Sequence, residues 1–145
     1  MLTIVYIPGC WDLLHVGHLA MLERAKAMGD RLVVGVADDL VVEEDKGKEP
    51  IIGETERVRM LQALKCVDVA ITYHALEFLS HLEMIHPNVM VVGSTWGNQR
   101  RHNEAELWCA ENDCNFVLLP YTEGVSTSLI KGKILQDHNL SYTAN

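Results

Sequence analysis

The chain alternates between short unbroken apolar runs and longer stretches in which apolar positions recur every third or fourth residue. "TIVYI" (3–7) is continuous and β-branched, with Pro8-Gly9 marking a turn, and so predicts a strand. "HVGHLAMLERAKAMG" (15–29) changes period. Val16, Leu19 and Leu22 recur at helical spacing, and Gly29 is placed to end the helix. The pattern continues with a strand at 31–37, a helix at 54–64, a strand at 67–71, a helix at 75–85 stopped by Pro87, and a strand at 89–93. A helix at 103–112, a strand at 115–119 and a helix at 126–136 opened by Ser126 complete the series. Gly132 weakens that last helix by about 1 kcal/mol relative to alanine. The polar stretch 38–53, with its Gly and Pro, predicts mostly loop.

Strands apolar on both faces and separated by helices predict a parallel sheet covered on both sides. Right-handed crossovers then favour an α/β fold made of a single doubly wound, Rossmann-like domain, a five-stranded sheet in the order 3-2-1-4-5. This domain is expected over 1–145, with its core at about 3–136 and a tail at 137–145. Ligands of such folds bind beyond the C-terminal ends of the strands. The segments there are 8–18, 37–53, 93–102 and 120–128, and they are also the ones dense in Gly, His, Asp, Arg, Ser and Thr.

Composition narrows the partners. Twenty acidic against twelve basic residues give a net charge of −8, which argues against nucleic acid, because neutralising its backbone needs a basic surface. One local cluster of positive groups can still hold a phosphate. Cys10, Cys66, Cys109 and Cys114 form no CxxC pair, so reduced thiols in a cytoplasmic setting are expected. The N-terminus lacks the basic lead of a secretory signal, and no apolar run approaches the roughly 20 residues that span a bilayer. No membrane partner is expected.

His15 and His18, in "GCWDLLHVGH" (9–18), are three apart and share a face in the first turn of the first helix. Free backbone N–H groups and the positive dipole end lie beside them, an environment that suits phosphate oxygens better than a cation. Zinc would also require a third protein ligand, which Asp12 could offer. Gly17 between them lets a bulky group approach the helix, although it would serve tight packing equally well. Lys46 and Lys48 in "DKGKEP" resemble a loop that closes on polyphosphate, and Arg57 follows on the next helix. "EGVSTS" (123–128) sets hydroxyls and N–H groups at another helix start. No G-x-G-x-x-G follows the first strand, which disfavours a dinucleotide oxidoreductase.

"GCWDLLHVGH" closely resembles the GTFDxxHxGH signature of the cytidylyltransferase-like nucleotidyltransferases, and "YTEGVSTS" resembles their RTEGISTT signature. The likeness covers roughly 3–136. It implies transfer of a nucleotidyl group from CTP or ATP to a small anionic phosphorylated acceptor, with pyrophosphate released, a divalent cation (commonly Mg²⁺) and a homodimer. No protein metal ligands are expected. By this resemblance His15 and His18 contact the nucleotide phosphates, Asp12 organises the site, and Lys46 reaches the triphosphate. Gly9 permits close approach beneath the nucleotide, Arg57 continues the positive wall, and Ser126 and Thr127 bind phosphate. Cys10, Trp11, Gly17, Asp39, Gly93, Glu123, Gly124 and Ser128 complete the implied nucleotide site.

Two departures bear on substrate. Tyr121 stands where many cytidylyltransferases have the arginine of RTEGISTT, an arginine that sugar-phosphate adenylyltransferases also tend to lack. In "GSTWGNQRRH" (93–102), Ser94 and Thr95 replace two aspartates while Trp96 is kept. With Arg100 and Arg101 following, the acceptor pocket is less negative, and Trp96, Arg100, Arg101 and Tyr121 are its expected residues. Arg100 and Arg101 could equally belong to a subunit interface. The expected activity is transfer of CMP from CTP. The alternatives are adenylyl transfer from ATP to a sugar phosphate and a non-catalytic nucleotide-binding module.

Overall fold

The computed structural model describes residues 1–93 and 100–137. In chain order the elements are β1 (Ile4–Gly9), α1 (Val16–Lys26), β2 (Arg31–Ala37), α2 (Asp39–Lys46), α3 (Glu54–Gln62), β3 (Val69–Tyr73), α4 (Leu79–Ile85), β4 (Val89–Gly93), α5 (Arg100–Glu111), β5 (Asn115–Leu119) and α6 (Thr127–Asp137). The five strands form one parallel sheet in the order β3-β2-β1-β4-β5. This is the doubly wound, Rossmann-like domain that the alternation predicts.

Period-two alternation within each strand divides the core. Val5, Ile7, Leu32, Val34, Val36, Val89 and Val91 meet Met21, Leu22 and Ala25 of α1 and Leu61 of α3 on one face. Tyr6, Met90 and Val92 point the other way, beneath Leu82 of α4 and Ala105, Trp108 and Cys109 of α5. A strand covered on both faces has no polar side to show, which is why these strands read as continuous apolar runs.

Several boundaries differ from expectation. The stretch 38–53 is not mostly loop: α2 fills its first half. Asp38 caps it, its Oδ1 accepting from the N–H of Val41 at 2.7 Å, and Val41 and Val42 pack against Ala37 and Tyr73. Gly47, in the left-handed region at φ 76°, closes the helix. β1 runs through Pro8-Gly9 rather than ending there, with Pro8 opposite Gly35 of β2. The pairing of β1 with β4 reaches only Val5 and Tyr6, so Pro8 sits where no donor toward β4 is needed. α5 begins at Arg100, which puts Arg100 and Arg101 on a helix. Trp96, Ser94 and Thr95 lie outside the described residues, as does all but the first position of the expected 137–145 tail.

Candidate active site

The C-terminal ends of β1, β2, β3 and β4 open into a cleft of about 510 Å³. Its lining brings together Gly9, Cys10, Trp11, Asp12, His18, Lys46, Lys48, Gly93, Arg101, Tyr121, Thr127 and Ser128 from segments far apart in sequence. A smaller hollow of about 150 Å³ adjoins it, between His15, Gly17 and His18 on one side and Tyr121, Thr122, Val125, Ser126 and Thr127 on the other.

The two imidazoles share an unusual task. His15 is the N-cap of α1, and its Nδ1 accepts from the N–H groups of Gly17 at 3.0 Å and His18 at 3.4 Å. His18 Nδ1 in turn accepts from the His15 N–H at 3.3 Å, which closes a reciprocal capping box built from histidines. The rings stack with centroids 3.8 Å apart. Burial lowers the pKa of His15; burial, with His15 and Lys46 adding to it, pushes that of His18 down to about 4. Both rings are therefore neutral at pH 7. With each Nδ1 accepting, the proton of each ring is assigned to Nε2, which leaves two N–H donors directed away from the helix backbone. Gly17 serves this arrangement, since a Cβ there would lie 2.8 Å from the His15 ring. The bulky group it admits is the cap itself.

Other residues of the two signatures are committed to the scaffold. Asp12 is buried, and its carboxylate accepts from the N–H groups of Leu13 (3.1 Å), Ile51 (2.8 Å) and Ile52 (2.9 Å). It ties the end of β1 to the segment before α3. Its neighbours Trp11 and Leu13 both have left-handed backbones, at φ 62° and 50°. Such strain in bulky residues persists only where the surroundings enforce it. Here the Trp11 indole N–H donates to the Gly35 carbonyl at 2.9 Å. A Cβ on Gly9 would come within 2.9 Å of that indole, so the glycine makes room for Trp11.

Arg57 departs furthest from its expected place. Its guanidinium is buried and donates to the carbonyls of Ile52, Cys10 and Ala37 and to Asp39 Oδ1, all at 2.7–2.8 Å. Asp39 Oδ1 also accepts the N–H of Glu54, the first residue of α3, whose N-cap Gly53 has no side chain to do so. Neither Arg57 nor Asp39 lines the cleft. Arg57 is a buried strut, not a positive wall. Arg100 is also elsewhere, 93% exposed and paired with Glu104 of the next turn at 2.8 Å. Glu123 is exposed and lines neither hollow, while Gly124 at φ 77° turns the chain into α6.

The second helix terminus is arranged as its sequence predicts. Ser126 Oγ accepts from the N–H of Leu129 at 3.1 Å and caps α6. The Thr127 hydroxyl donates to the Asp12 carbonyl at 3.0 Å and ties the two signatures together. Tyr121 lies over Gly93, where any Cβ would collide with its ring. Sequence reasoning missed Lys131, which lines the cleft four residues after Thr127 on the same face of α6; that spacing was the available signal. It also missed Tyr73, at the end of a strand placed two residues too early.

The cleft carboxylates are Asp12, Asp45 and Glu49. Asp12 is saturated by backbone donors and Asp45 faces Arg101 at 3.1 Å. This set suits a cation such as Mg²⁺ that travels on phosphate oxygens and keeps its waters, better than one caged by protein. Among the described residues, Asp38, Glu54 and His74 bring three donor atoms within 4.8 Å of one another, but outside the cleft and with His74 already 2.7 Å from Asp38.

Comparisons with known proteins agree with this picture. A family model described as cytidylyltransferase-like matches residues 6–133. The chain is 36% identical over 137 residues to the Bifunctional protein HldE of Helicobacter pylori (strain P12), covering 94% of this chain and 28% of that protein. It is 38% identical over 128 residues to HldE of Koribacter versatilis (strain Ellin345), covering 86% and 26%. The chain thus spans about a quarter of the length of these curated relatives. The crystal structure of the lipopolysaccharide core biosynthesis protein from Thermoplasma volcanium GSS1 superposes with a TM-score of 0.74 at 27% identity, over 85% of this chain and 100% of that one. No helix among the described residues is long and apolar enough to cross a membrane.

Proposed function

Since the chain belongs to the cytidylyltransferase-like family, we propose that it is a nucleotidyltransferase that moves an adenylyl group from ATP to a sugar phosphate and releases pyrophosphate. The expectation of CTP gives way to this alternative. The HldE relatives weigh toward ATP and a sugar-phosphate acceptor, and Tyr121 in place of the second signature's arginine accords with them.

The observation that carries the reading is the histidine capping box. An oxygen of the acceptor phosphate attacks the α-phosphorus, the bond to the β-phosphate bridging oxygen breaks, and pyrophosphate leaves with that electron pair. A phosphate monoester has a second pKa near 6 and is already a dianion at pH 7, so no general base is required. What the protein must supply is fixed donors where negative charge builds. The Nε2–H groups of His15 and His18, the start of α6 and the ammonium of Lys46 are such donors. Because each Nδ1 is held by backbone N–H, the rings need no reorientation to present Nε2. A divalent cation, when bound, would neutralise part of the phosphate charge, and Glu49 on the cleft wall is a carboxylate that could hold it.

The test is a matrix of ATP, CTP, GTP and UTP against sugar phosphates and polyol phosphates with Mg²⁺, read as pyrophosphate release. ATP with a sugar phosphate is expected to be the most active pair. Preference for CTP would reverse the nucleotide assignment, and nucleotide binding with no pyrophosphate from any pair would leave a binding module.

A further inference from the structure

Arg101 is the one arginine among the described residues that lines the cleft, and it is already engaged. Its Nη2 donates to Asp45 Oδ1 at 3.1 Å, its Nη1 donates to the Leu76 carbonyl at 3.4 Å, and its guanidinium carbon lies 5.1 Å from the centre of the Phe78 ring. The two ends of this ion pair are unequal. The arginine side chain is only 11% exposed and, besides Asp45, meets the Leu76 carbonyl and the Phe78 ring just before α4. The aspartate side chain is 28% exposed and stands one residue before the last residue of α2, two before Gly47 with its left-handed turn. The fixed partner is the cation and the movable one is the carboxylate.

Building on the transfer reading above, we propose that Asp45 is a specificity-determining residue: it occupies Arg101 until the phosphate of the acceptor replaces it. Arg101 Nη2 meets the carboxylate of Asp45 at its Oδ1. A phosphate dianion carries more charge than a carboxylate and can meet a guanidinium fork through two oxygens, which makes it the stronger ligand. A neutral sugar has nothing to offer in exchange. A singly charged ester matches the carboxylate in charge without exceeding it. The exchange therefore favours doubly ionised phosphate monoesters over unphosphorylated or singly charged analogues. Lys46 is the next residue to Asp45, and the acceptor phosphate that displaces the carboxylate comes to a wall where the ammonium of Lys46 also lines the cleft. The other charged groups near this wall are Lys48 and Glu49.

Binding of inorganic phosphate to the whole chain, measured by calorimetry without nucleotide, separates this proposal from the transfer reading. Asp45→Asn is expected to tighten phosphate binding roughly two- to fivefold, the range of one partly exposed ion pair. Glu49→Gln removes an equal charge from the same cleft and is expected to change it less. In an Arg101→Gln background the Asp45→Asn effect should vanish, which a double-mutant cycle reads directly. In turnover, Asp45→Asn lowers the acceptor KM, leaves the nucleotide KM in place, and narrows the preference for the phosphorylated over the sulfated acceptor. Equal responses to Asp45→Asn and Glu49→Gln, or an Asp45→Asn effect that survives in Arg101→Gln, would overturn the exchange while leaving the assignment as a transferase untouched. A chain that shows the exchange but releases no pyrophosphate would keep Asp45 as a guard of an anion site and remove the transfer.

Discussion

At the floor of the cleft, Asp12, Asp39 and Arg57 hold backbone from three stretches of the chain, whereas along its rim stand His18, Lys46, Lys48 and Lys131. Both sets are charged or titratable, and both fall in or near the same signatures. The difference lies in how many partners the fold provides. Arg57 gives four of its five N–H donors to three carbonyls and a carboxylate, and it is buried away from the cleft lining. The imidazoles meet backbone on one nitrogen only, and the other remains available. A buried cation fixes the position of the donors, and in the transfer reading proposed above the donors at the rim face the phosphates. A signature therefore mixes two kinds of residue, and a mutation distinguishes them by whether stability or transfer fails first.

The largest effect is expected from the floor. Arg57→Met takes the donor from the carbonyls of Ile52, Cys10 and Ala37 and the cation from Asp39, and a loss of about 3 kcal/mol or more in unfolding free energy is expected by urea titration. Any activity lost at low temperature should track the unfolded fraction. A rim variant should invert this. His15→Ala removes an Nε2–H donor and a cap, for which transfer should fall about 100-fold or more while stability falls only about 1 kcal/mol. Pyrophosphate release and a thermal melt on the same sample would check it. Should Arg57→Met lose transfer while remaining fully folded, the division between floor and rim is wrong.

Acid provides a third way to sharpen the contrast. The pKa of His18 is about 4 in the folded protein and near 6.5 in an unfolded chain. Between those values the unfolded state binds more protons, so stability is full above pH 6.5 and declines as pH falls toward 4. The decline contributed by this ring is at most about 3 kcal/mol, and His18→Gln should flatten it in a pH series of denaturation curves. Smallest is Arg100, which faces solvent beside Glu104. Arg100→Gln is expected to shift stability by less than about 0.5 kcal/mol and to leave the acceptor KM unchanged. Arg101→Gln should raise that KM instead.

Local pattern was enough for the sheet. Five apolar runs separated by helical spacing imply parallel pairing, burial on both faces and ligand binding at the strand ends, because each step follows from periodicity and crossover handedness. It failed at α2, where an acidic, Gly- and Pro-containing stretch hid the cap of Asp38 and the paired Val41 and Val42. Their apolar face is completed by Tyr73, more than thirty residues away. The histidine pair, the lysine and the second helix start were likewise legible, since HxGH and a Ser-Thr-Ser cap announce themselves by spacing.

What the chain alone could not state is which charged residues would be left with a hydrogen-bonding valence to offer. Spacing puts His15 and His18 on one turn, but the choice of Nε2 as donor follows from Nδ1 facing the helix backbone. Arg57 and Arg101 read alike in sequence. Only the packed structure encloses one among carbonyls at the ends of β1 and β2 and sets the other at the cleft wall against Asp45. The physical reason is that periodicity is a local property of the backbone, whereas hydrogen-bond satisfaction depends on every group the fold brings within reach.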